Sequence, residues 1–535
     1  MKNIGKITLI GVLLFCIGSV YAQPTIYDAN RWMGSDLNGT ARFIGMGGAM
    51  GALGGDISTM GTNPAGIGIY RSNDVMLSFG FTNIGSKQSG GGPSVDKFHG
   101  SFDNAGFVLS TKIGNYSSLR FVNFGFNYHR TKSFDKNMVM DGIFGASQTE
   151  TMAGMLNYND AGQYAPFPVE TLNRKDAYTN PDIPWLGLLG YDAHLAVPEY
   201  IENTEKPEEG EKFNGYLSYF NNGDKVRQAY TARERGGLHS YDFNVSFNFY
   251  DRFYLGATIG AYSIDYKRTS LYKEDFTDKQ GNEHGGYDLG NDFWSDGSGV
   301  DLKLGFIWRP IESSSFRIGG AIHTPTFYSI TERSRAFIDY DLNVEGVAPG
   351  FVEPVDRNNN PMDGEFKYRL VTPWKFNLST GYTFGSVAAV GLEYEYMDYS
   401  SAKMKDPDGE ELHETNGIKA MMDGVHTLRA GVEFKLAPEF AFRLGYNHVT
   451  ASMKSSALKY LPDNSIRTDT EYSNAGATNN YTLGCGYRGE MFYVDMAYQY
   501  SQYKEDFYAF YNKYLEGTQL KNNNHKVVLT VGLRF

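Results

Sequence analysis

The stretch from Phe43 to Tyr70, FIGMGGAMGALGGDISTMGTNPAGIGIY, has residue types that could form a chemical site. Gly45, Gly47 and Gly51 suggest a phosphate-binding loop, in which glycines let the backbone approach a pyrophosphate. A dinucleotide loop, however, needs a preceding strand, a long following helix and the spacing G-x-G-x-x-G. Gly51 comes one residue too late for that spacing, and an Asn-Pro turn follows soon after. We therefore predict that this stretch does not bind a nucleotide.

Other patterns with known chemistry are weak. The sequence contains no His-Glu-x-x-His, no Gly-x-Ser-x-Gly and no Cys-x-x-Cys motif. Asp356 and Asn358 resemble the start of a calcium loop, but a proline stands where such a loop needs glycine. Three scattered histidines lie near the ends of predicted strands: His129, His239 and His323. We predict a protein that is not an enzyme and has no cofactor or metal site, and haem ligation by a histidine and a tyrosine remains an alternative.

The chain starts like an exported protein. Lys2 and Lys6 precede an apolar run from Ile7 to Val20, and small residues follow. This pattern predicts a signal peptide, residues 1–22, cleaved after Ala22. The formal net charge is −12, and an acidic exported chain is a poor candidate for nucleic-acid binding.

Alternation with a period of two dominates the rest of the chain. In the C-terminal KVVLTVGLRF, one face has Lys526, Thr530, Gly532 and Arg534, and the other has Val527, Leu529, Val531, Leu533 and Phe535. About ten such residues match a membrane-spanning strand with a lipid face and a lumen face, although a soluble sandwich strand would alternate in the same way. Elsewhere, glycine and charge repeatedly share a face, which favours a wet or plugged lumen over a dry core.

The predicted strands number fourteen, and two long ones bend near Pro325 and Pro373. They are 74–83, 104–113, 119–131, 239–250, 253–267, 297–309, 315–340, 363–385, 387–399, 425–436, 439–450, 479–489, 491–503 and 525–535. Their connections alternate between short turns and long loops, the longest of them residues 132–238. Short periplasmic turns and long outer loops indicate an outer-membrane barrel, because only a closed barrel pairs every strand backbone within lipid.

The predicted class is thus all-β, a transmembrane antiparallel β-barrel of about fourteen strands (residues 74–535) with an N-terminal hatch inside the lumen (residues 23–73). Small residues suit a compact plug that packs closely against lumen side chains. We predict that Asn63, Pro64, Ala65 and Gly66 shape and gate this plug, because Asn-Pro favours a turn. A bulkier residue at Gly66 is expected to press the plug against the wall.

The same stretch resembles the N-terminal hatch of FadL/TodX-type outer-membrane transporters, which carry long-chain fatty acids and aromatic hydrocarbons. The shared features are a run of small residues, then an acidic residue followed by Ile or Ala, Ser and Thr (here DIST), and then NPAG. Weaker similarity continues in RIGGAIHTPTF, TPWKFNLSTGYTF and VGLEYEYMDYSSAK, within a region from Ala41 to Phe535. The resemblance implies a fourteen-stranded barrel with a plug, passive uptake, and sideways release through a gap in the wall. The large loop departs from the pattern, and the family's carboxylate-binding basic residues have no counterpart that we can align.

Two apolar segments of the large loop are candidate ligand-capture sites. Exposed apolar and methionine-rich patches suit varied apolar ligands. The candidate residues are Trp185, Leu186, Leu188 and Leu189 in one segment and Met138, Met140 and Phe144 in the other, whose spacing is roughly helical. Alternatively, the two segments only pack on each other and close the loop over the barrel.

The sequence thus predicts an outer-membrane transporter of a Gram-negative bacterium for passive uptake of hydrophobic small molecules. The alternatives are a barrel component of a secretion or surface-assembly system and a haem receptor. Expected partners are a fatty acid or hydrocarbon ligand, outer-membrane lipid and lipopolysaccharide, and the barrel-assembly machinery, which would recognise Phe535.

Overall fold

The computed structural model describes residues 24–159, 162–204, 210–220, 224–462 and 464–535, and the predicted signal peptide lies outside these residues. The strands are β1 (Asp74–Gln88), β2 (Ser94–Lys112), β3 (Leu119–Ser133), β4 (Lys136–Phe144), β5 (Ala196–Glu202), β6 (Glu211–Ser218), β7 (Lys225–Phe249), β8 (Phe253–Thr277), β9 (Glu283–Trp308), β10 (Arg317–His323), β11 (Phe327–Leu342), β12 (Gly350–Val352), β13 (Gly364–Val371), β14 (Lys375–Phe384), β15 (Ala388–Asp398), β16 (Lys403–Lys405), β17 (Gly424–Lys435), β18 (Phe440–Val449), β19 (Tyr472–Ala475), β20 (Thr478–Arg488), β21 (Phe492–Tyr508) and β22 (Thr518–Arg534). The α-helices are α1 (Ile26–Met33), α2 (Ala41–Gly45), α3 (Gln148–Asn157), α4 (Val169–Leu172), α5 (Trp185–Asp192) and α6 (Glu414–Met421). Short 3₁₀ turns cover Ile57–Gly61, Pro64–Ile69, Ser89–Gly91, Ala177–Thr179 and Tyr399–Ser401.

Fourteen antiparallel strand positions close the barrel within the described residues. Each strand pairs with the next wall strand along the chain, and β22 pairs back with β1 from Asp74↔Arg534 to Gln88↔Leu520. Pro325 separates β10 from β11, and Pro373 separates β13 from β14, so each pair forms one bent position. The prediction of a closed fourteen-stranded barrel with two bent members is confirmed.

The outer face of the wall is apolar and the inner face is polar. Leu529 in β22 is 37% exposed, whereas the adjacent Thr530 is 1% exposed and faces the interior. The same alternation places Phe79, Leu255 and Leu444 outside. A band of outward apolar side chains on a closed barrel is the surface that contacts lipid.

Several strands extend beyond their predicted bounds at the long-loop end. β7 begins at Lys225 and β4 covers Lys136–Phe144, so both ends of the predicted large loop are strand. The helical spacing expected for Met138 and Met140 is therefore wrong. The extension of β7 has polar outward residues, such as Arg227 and Arg233, because a strand standing in water needs no apolar face.

No helix in the described part of the chain is both long and apolar enough to span a membrane.

Candidate functional site

The N-terminal segment (residues 24–73) lies against the inner wall of the barrel. Side chains cap the first residues of α2 and of the 3₁₀ turns Ile57–Gly61 and Pro64–Ile69. Thr40 Oγ1 accepts a hydrogen bond from Phe43 N (3.1 Å), Asp56 Oδ1 from Ser58 N (3.0 Å), and Asn63 Oδ1 from Ala65 N (3.2 Å). Polar residues at these positions therefore stabilise the turns of the segment through local contacts.

Asn63 joins two parts of the segment to the wall. Its Nδ2 donates to Gly51 O (2.8 Å) and to Phe306 O in β9 (3.0 Å), and its side chain is fully buried. Pro64 O accepts hydrogen bonds from Ser246 Oγ (2.8 Å) and from a neighbouring asparagine of β7. The Asn-Pro turn is thus a contact between segment and wall.

Glycines on the inner face of the wall allow this close contact. A Cβ at Gly305 would overlap the Asn63 side chain, and one at Gly431 or Gly445 would overlap the backbone at Met46 and Gly47. These are among the inward glycines that alternate with apolar residues in the sequence. They mark where backbone packs on backbone.

The expectation that a larger residue at Gly66 presses on the wall is wrong. A Cβ at Gly66 would meet Thr59 Oγ1 and Thr59 Cβ, which belong to the preceding turn of the same segment. Gly66 is therefore needed for packing between the two 3₁₀ turns.

Buried charges also tie the segment to the wall. Glu433 in β17 lies between Arg42 of the segment (3.1 Å) and Arg443 of β18 (2.6 Å). Arg317 Nη1 donates to Leu53 O (2.7 Å), and Glu393 Oε2 accepts from Gly51 N (2.8 Å). The charges that alternate with apolar residues in the sequence are thus used to hold the segment.

A cavity of about 590 Å³ lies between this segment and the outer loops. Its lining includes ion pairs, among them Lys303 with Asp301 (2.9 Å) and Lys526 with Asp103 (3.0 Å). Among the described residues, His99 Nδ1 in this lining has no hydrogen-bond partner. The cavity therefore suits water or the polar end of a ligand better than a purely apolar molecule.

Helix α1 forms part of the cavity lining. Its Trp32 packs edge-on against Phe134 (5.5 Å) and Tyr266 (5.8 Å). Asp28 of α1 pairs with Arg467, and both side chains are fully buried. Burial alone would raise the pKa of the Asp28 carboxyl, but Arg467 and the neighbouring cations outweigh it and lower the pKa. Sequence reasoning missed this pair, because no local pattern links residues so far apart in the chain.

The outer cap (residues 145–224, between β4 and β7) has an apolar core. The four predicted capture residues of α5 and Met140 are each no more than 2% exposed, and Met138 and Phe144 are partly buried against the same core. Trp185 Nε1 donates to Tyr178 O (3.0 Å). Ligand capture by these residues stays a prediction, and it requires the core to open.

A buried carboxyl fixes the start of α3 in this cap. Glu274 near the tip of β8 accepts hydrogen bonds from Ser147 Oγ (2.5 Å) and Gln148 N (2.9 Å). Burial raises the pKa of Glu274 to about 7. We therefore expect the attachment of the cap to depend on pH near neutrality.

The wall is interrupted beside the cavity. β2 pairs with β3 from Lys112↔Phe121 up to Asn104↔His129, and no ladder pair joins them beyond that point in the described residues. Above it, β2 pairs only with β1, while β4 pairs with β7. Residues on both sides of the break line the cavity, and Lys97 reaches across to Asp135 (3.0 Å). The backbone ladder is therefore broken at the height of the cavity, and a side-chain ion pair spans the break.

The remaining predicted residues do not come together. His239 faces outward and bonds Tyr128 OH (2.9 Å), whereas His323 faces inward and bonds Thr62 O (2.9 Å). The Asp356 carboxylate accepts from the backbone of its own turn, at Asn358 N (2.8 Å). Phe535 is exposed and exchanges backbone hydrogen bonds with Asn73.

Comparison with known proteins gives similarity at the level of structure. No protein-family model and no curated protein matches the chain. The toluene transporter TodX of Pseudomonas putida is 11% identical, with 94% of this chain and 99% of that chain covered and a TM-score of 0.48. A FadL homologue of Pseudomonas aeruginosa is 13% identical, with 96% and 99% covered and a TM-score of 0.49. The toluene transporter TbuX of Ralstonia pickettii is 13% identical, with 93% and 99% covered and a TM-score of 0.45. The matches thus include the FadL and TodX types that the sequence motifs resemble.

Proposed function

We propose that this protein is an outer-membrane channel for passive uptake of hydrophobic small molecules such as long-chain fatty acids. The N-terminal segment acts as a hatch, and the ligand leaves sideways through the break between β2 and β3. The observation that carries the proposal is this break, because the backbone ladder between β2 and β3 is absent there and residues on both sides of it line the polar cavity.

The residues along the proposed route, from the outer cap through the cavity to the break, favour an amphiphilic ligand over a hydrocarbon. The outer cap has an apolar core, the cavity has a charge-paired polar lining, and Phe98 and Phe102 are exposed on the outer side of the break. A molecule with an alkyl chain and a polar end can match all three environments, because its polar end keeps hydrogen bonds while its chain stays in apolar surroundings.

The proposal is tested by closing the break reversibly. In a chain with Cys485→Ser, cysteines replace His99 and Asp135, whose Nε2 and Oδ2 atoms lie 3.7 Å apart across the break. A short bifunctional thiol reagent then bridges them, and uptake of a fluorescent fatty acid by cells is measured. We expect bridging to lower uptake several-fold and reduction of a cleavable bridge to restore it.

The matched control bridges a part of the wall that has no break. Cysteines at Asp141 and Arg227 replace an ion pair (2.6 Å) on the paired strands β4 and β7. The same reagent at this pair is expected to leave uptake unchanged. Unchanged uptake after complete bridging at the break, with normal surface abundance, would contradict sideways release.

A further inference from the structure

Three lysines lie side by side on the outer face of the barrel. Lys87 in β1 pairs in register with Lys521 in β22, and Lys521 pairs in register with Lys504 in β21. All three are exposed, and the alternation of each strand turns them outward. We call Lys87, Lys504 and Lys521 the lysine triad.

The triad has no acidic partner in the structure. Among the described residues, no carboxylate oxygen lies within 4.0 Å of any of the three ammonium groups. Elsewhere on the outer face, cations are paired: Arg333 lies 2.8 Å from Glu365, and Arg335 lies 2.7 Å from Asp363. Like charges directly opposite each other destabilise a sheet, so the triad favours a bound anion.

The height of the triad on the wall indicates the kind of anion. Below it on the same strands, the apolar band ends at Phe81, Tyr498 and Val527. His525 then bonds Tyr498 OH (2.8 Å), in a polar aromatic layer of the kind found where a barrel leaves the hydrocarbon. Lys521 is six residues above Val527, which for a tilted strand is about 14 Å. The lysine backbones thus stand above the apolar band, and their long side chains can lean toward the membrane, which brings the ammonium groups within reach of lipid headgroups.

We propose that the lysine triad binds the phosphate of a phosphorylated outer-leaflet glycolipid of the lipid A type. The phosphate neutralises the three facing charges, and the acyl chains lie along the apolar column beneath them. The lipid, rather than free phosphate, is the occupant because the triad stands above the apolar column on the same three strands, β1, β21 and β22. This inference rests on the outer-membrane location given under the proposed function and is independent of what the channel transports.

The test uses the full chain in detergent and two triple variants that change the net charge equally. The first is Lys87→Gln with Lys504→Gln and Lys521→Gln. The control is Lys273→Gln with Lys367→Gln and Lys403→Gln, whose side chains are at least 45% exposed and each have a carboxylate within 4 Å. Lipid A with and without its phosphates is added, and the lipid retained after washing is measured by mass spectrometry.

We expect the wild-type and control proteins to retain phosphorylated lipid A at least tenfold better than the triad variant, with and without EDTA. The proposal would be overturned if the triad variant retained as much lipid as the wild type, or if the control variant lost as much lipid as the triad variant. It would also be overturned if EDTA released the lipid from the wild type, or if millimolar inorganic phosphate displaced it completely. Heat-modifiable migration on gels verifies folding, and removing facing like charges should not lower the melting temperature. If the wild-type protein fractionates with the outer membrane but does not retain the lipid, this inference alone is contradicted. If the protein is recovered in the soluble fraction, the proposed location is contradicted and this inference with it.

Discussion

Replacement of Asn63 by alanine is expected to release the N-terminal segment from the wall while the barrel stays intact. Asn63 makes three hydrogen bonds: to Gly51 O, to Phe306 O and from Ala65 N. Two of them hold the segment's own fold and one reaches β9. The wall strands keep their own ladder, so their pairing does not depend on this side chain.

The magnitude follows from these contacts. Each hydrogen bond contributes about 0.5–1.5 kcal/mol net, and buried partners left without a bond add to the loss. Displacement that also opens the Asn-Pro turn breaks all three bonds at this fully buried site, which corresponds to roughly 2–4 kcal/mol. Because about 1.4 kcal/mol is a factor of ten, the displaced population should rise by roughly 30- to 1,000-fold.

The assay measures how often the segment leaves the wall. In a Cys485→Ser background, Ala52→Cys places a thiol at a position that is 1% exposed, and its rate of maleimide labelling reports displacement. Asn480→Ala is the matched control, because Asn480 is also buried and hydrogen-bonded but bonds Asn447 within the wall (2.9 Å). Labelling rates of Asn63→Ala and wild type within threefold of each other, with both proteins heat-modifiable, would refute the role of Asn63 as a latch.

Three further predictions concern the wall, the cap and the roof of the cavity. Leu529→Arg should destabilise the assembled barrel by about 2–4 kcal/mol, because it places a charge in lipid. Asn524→Arg, at a position that faces the cavity, should assemble normally, as measured by heat-modifiable migration on gels. Equal effects of the two substitutions would mean that the faces are misassigned. Glu274 has a pKa raised to about 7 by burial, against 4.5 for the free side chain, so between these values the folded protein holds a proton that the unfolded chain has lost. Stability of the cap should therefore fall as pH rises through this window, by up to roughly 3 kcal/mol, and proteolysis of the outer loops at pH 5 and pH 8 should differ in wild type but not in Glu274→Gln. Arg467→Ala should destabilise the packing of α1 by about 3–5 kcal/mol, because it leaves the fully buried Asp28 without its partner. Unchanged proteolysis of the loop between β18 and β20 on intact cells would contradict this prediction.

The sequence predicted the parts of the fold that depend on a local pattern. In β22, alternation assigned Leu529 to the outer face and Thr530 to the inner face, because the lipid face must be apolar wherever the wall crosses the membrane. Pro325 and Pro373 marked the two bends for an equally local reason, the missing backbone donor. The extensions of β4 and β7 were missed because they stand in water and have no apolar face.

The site itself depends on contacts between distant residues. The contact of Asn63 with Phe306, the pair of Asp28 with Arg467 and the end of the β2–β3 ladder at Asn104 have no signature in a single sequence. The inward glycines did carry a signal, since they alternate with apolar residues. Their partners in the N-terminal segment became identifiable only in three dimensions.

The most direct test of the central claim is to identify what occupies the cavity of the protein purified from its native membranes. Mass spectrometry of the extracted ligand should find an alkyl-chain amphiphile at about one molecule per barrel. The amount should fall at least fivefold in Ser473→Trp, which adds bulk to a cavity-lining position and leaves the lower wall and the lysine triad unchanged. The account would be contradicted if purified, heat-modifiable protein held no such molecule. It would also be contradicted if the wild type and Ser473→Trp held equal amounts.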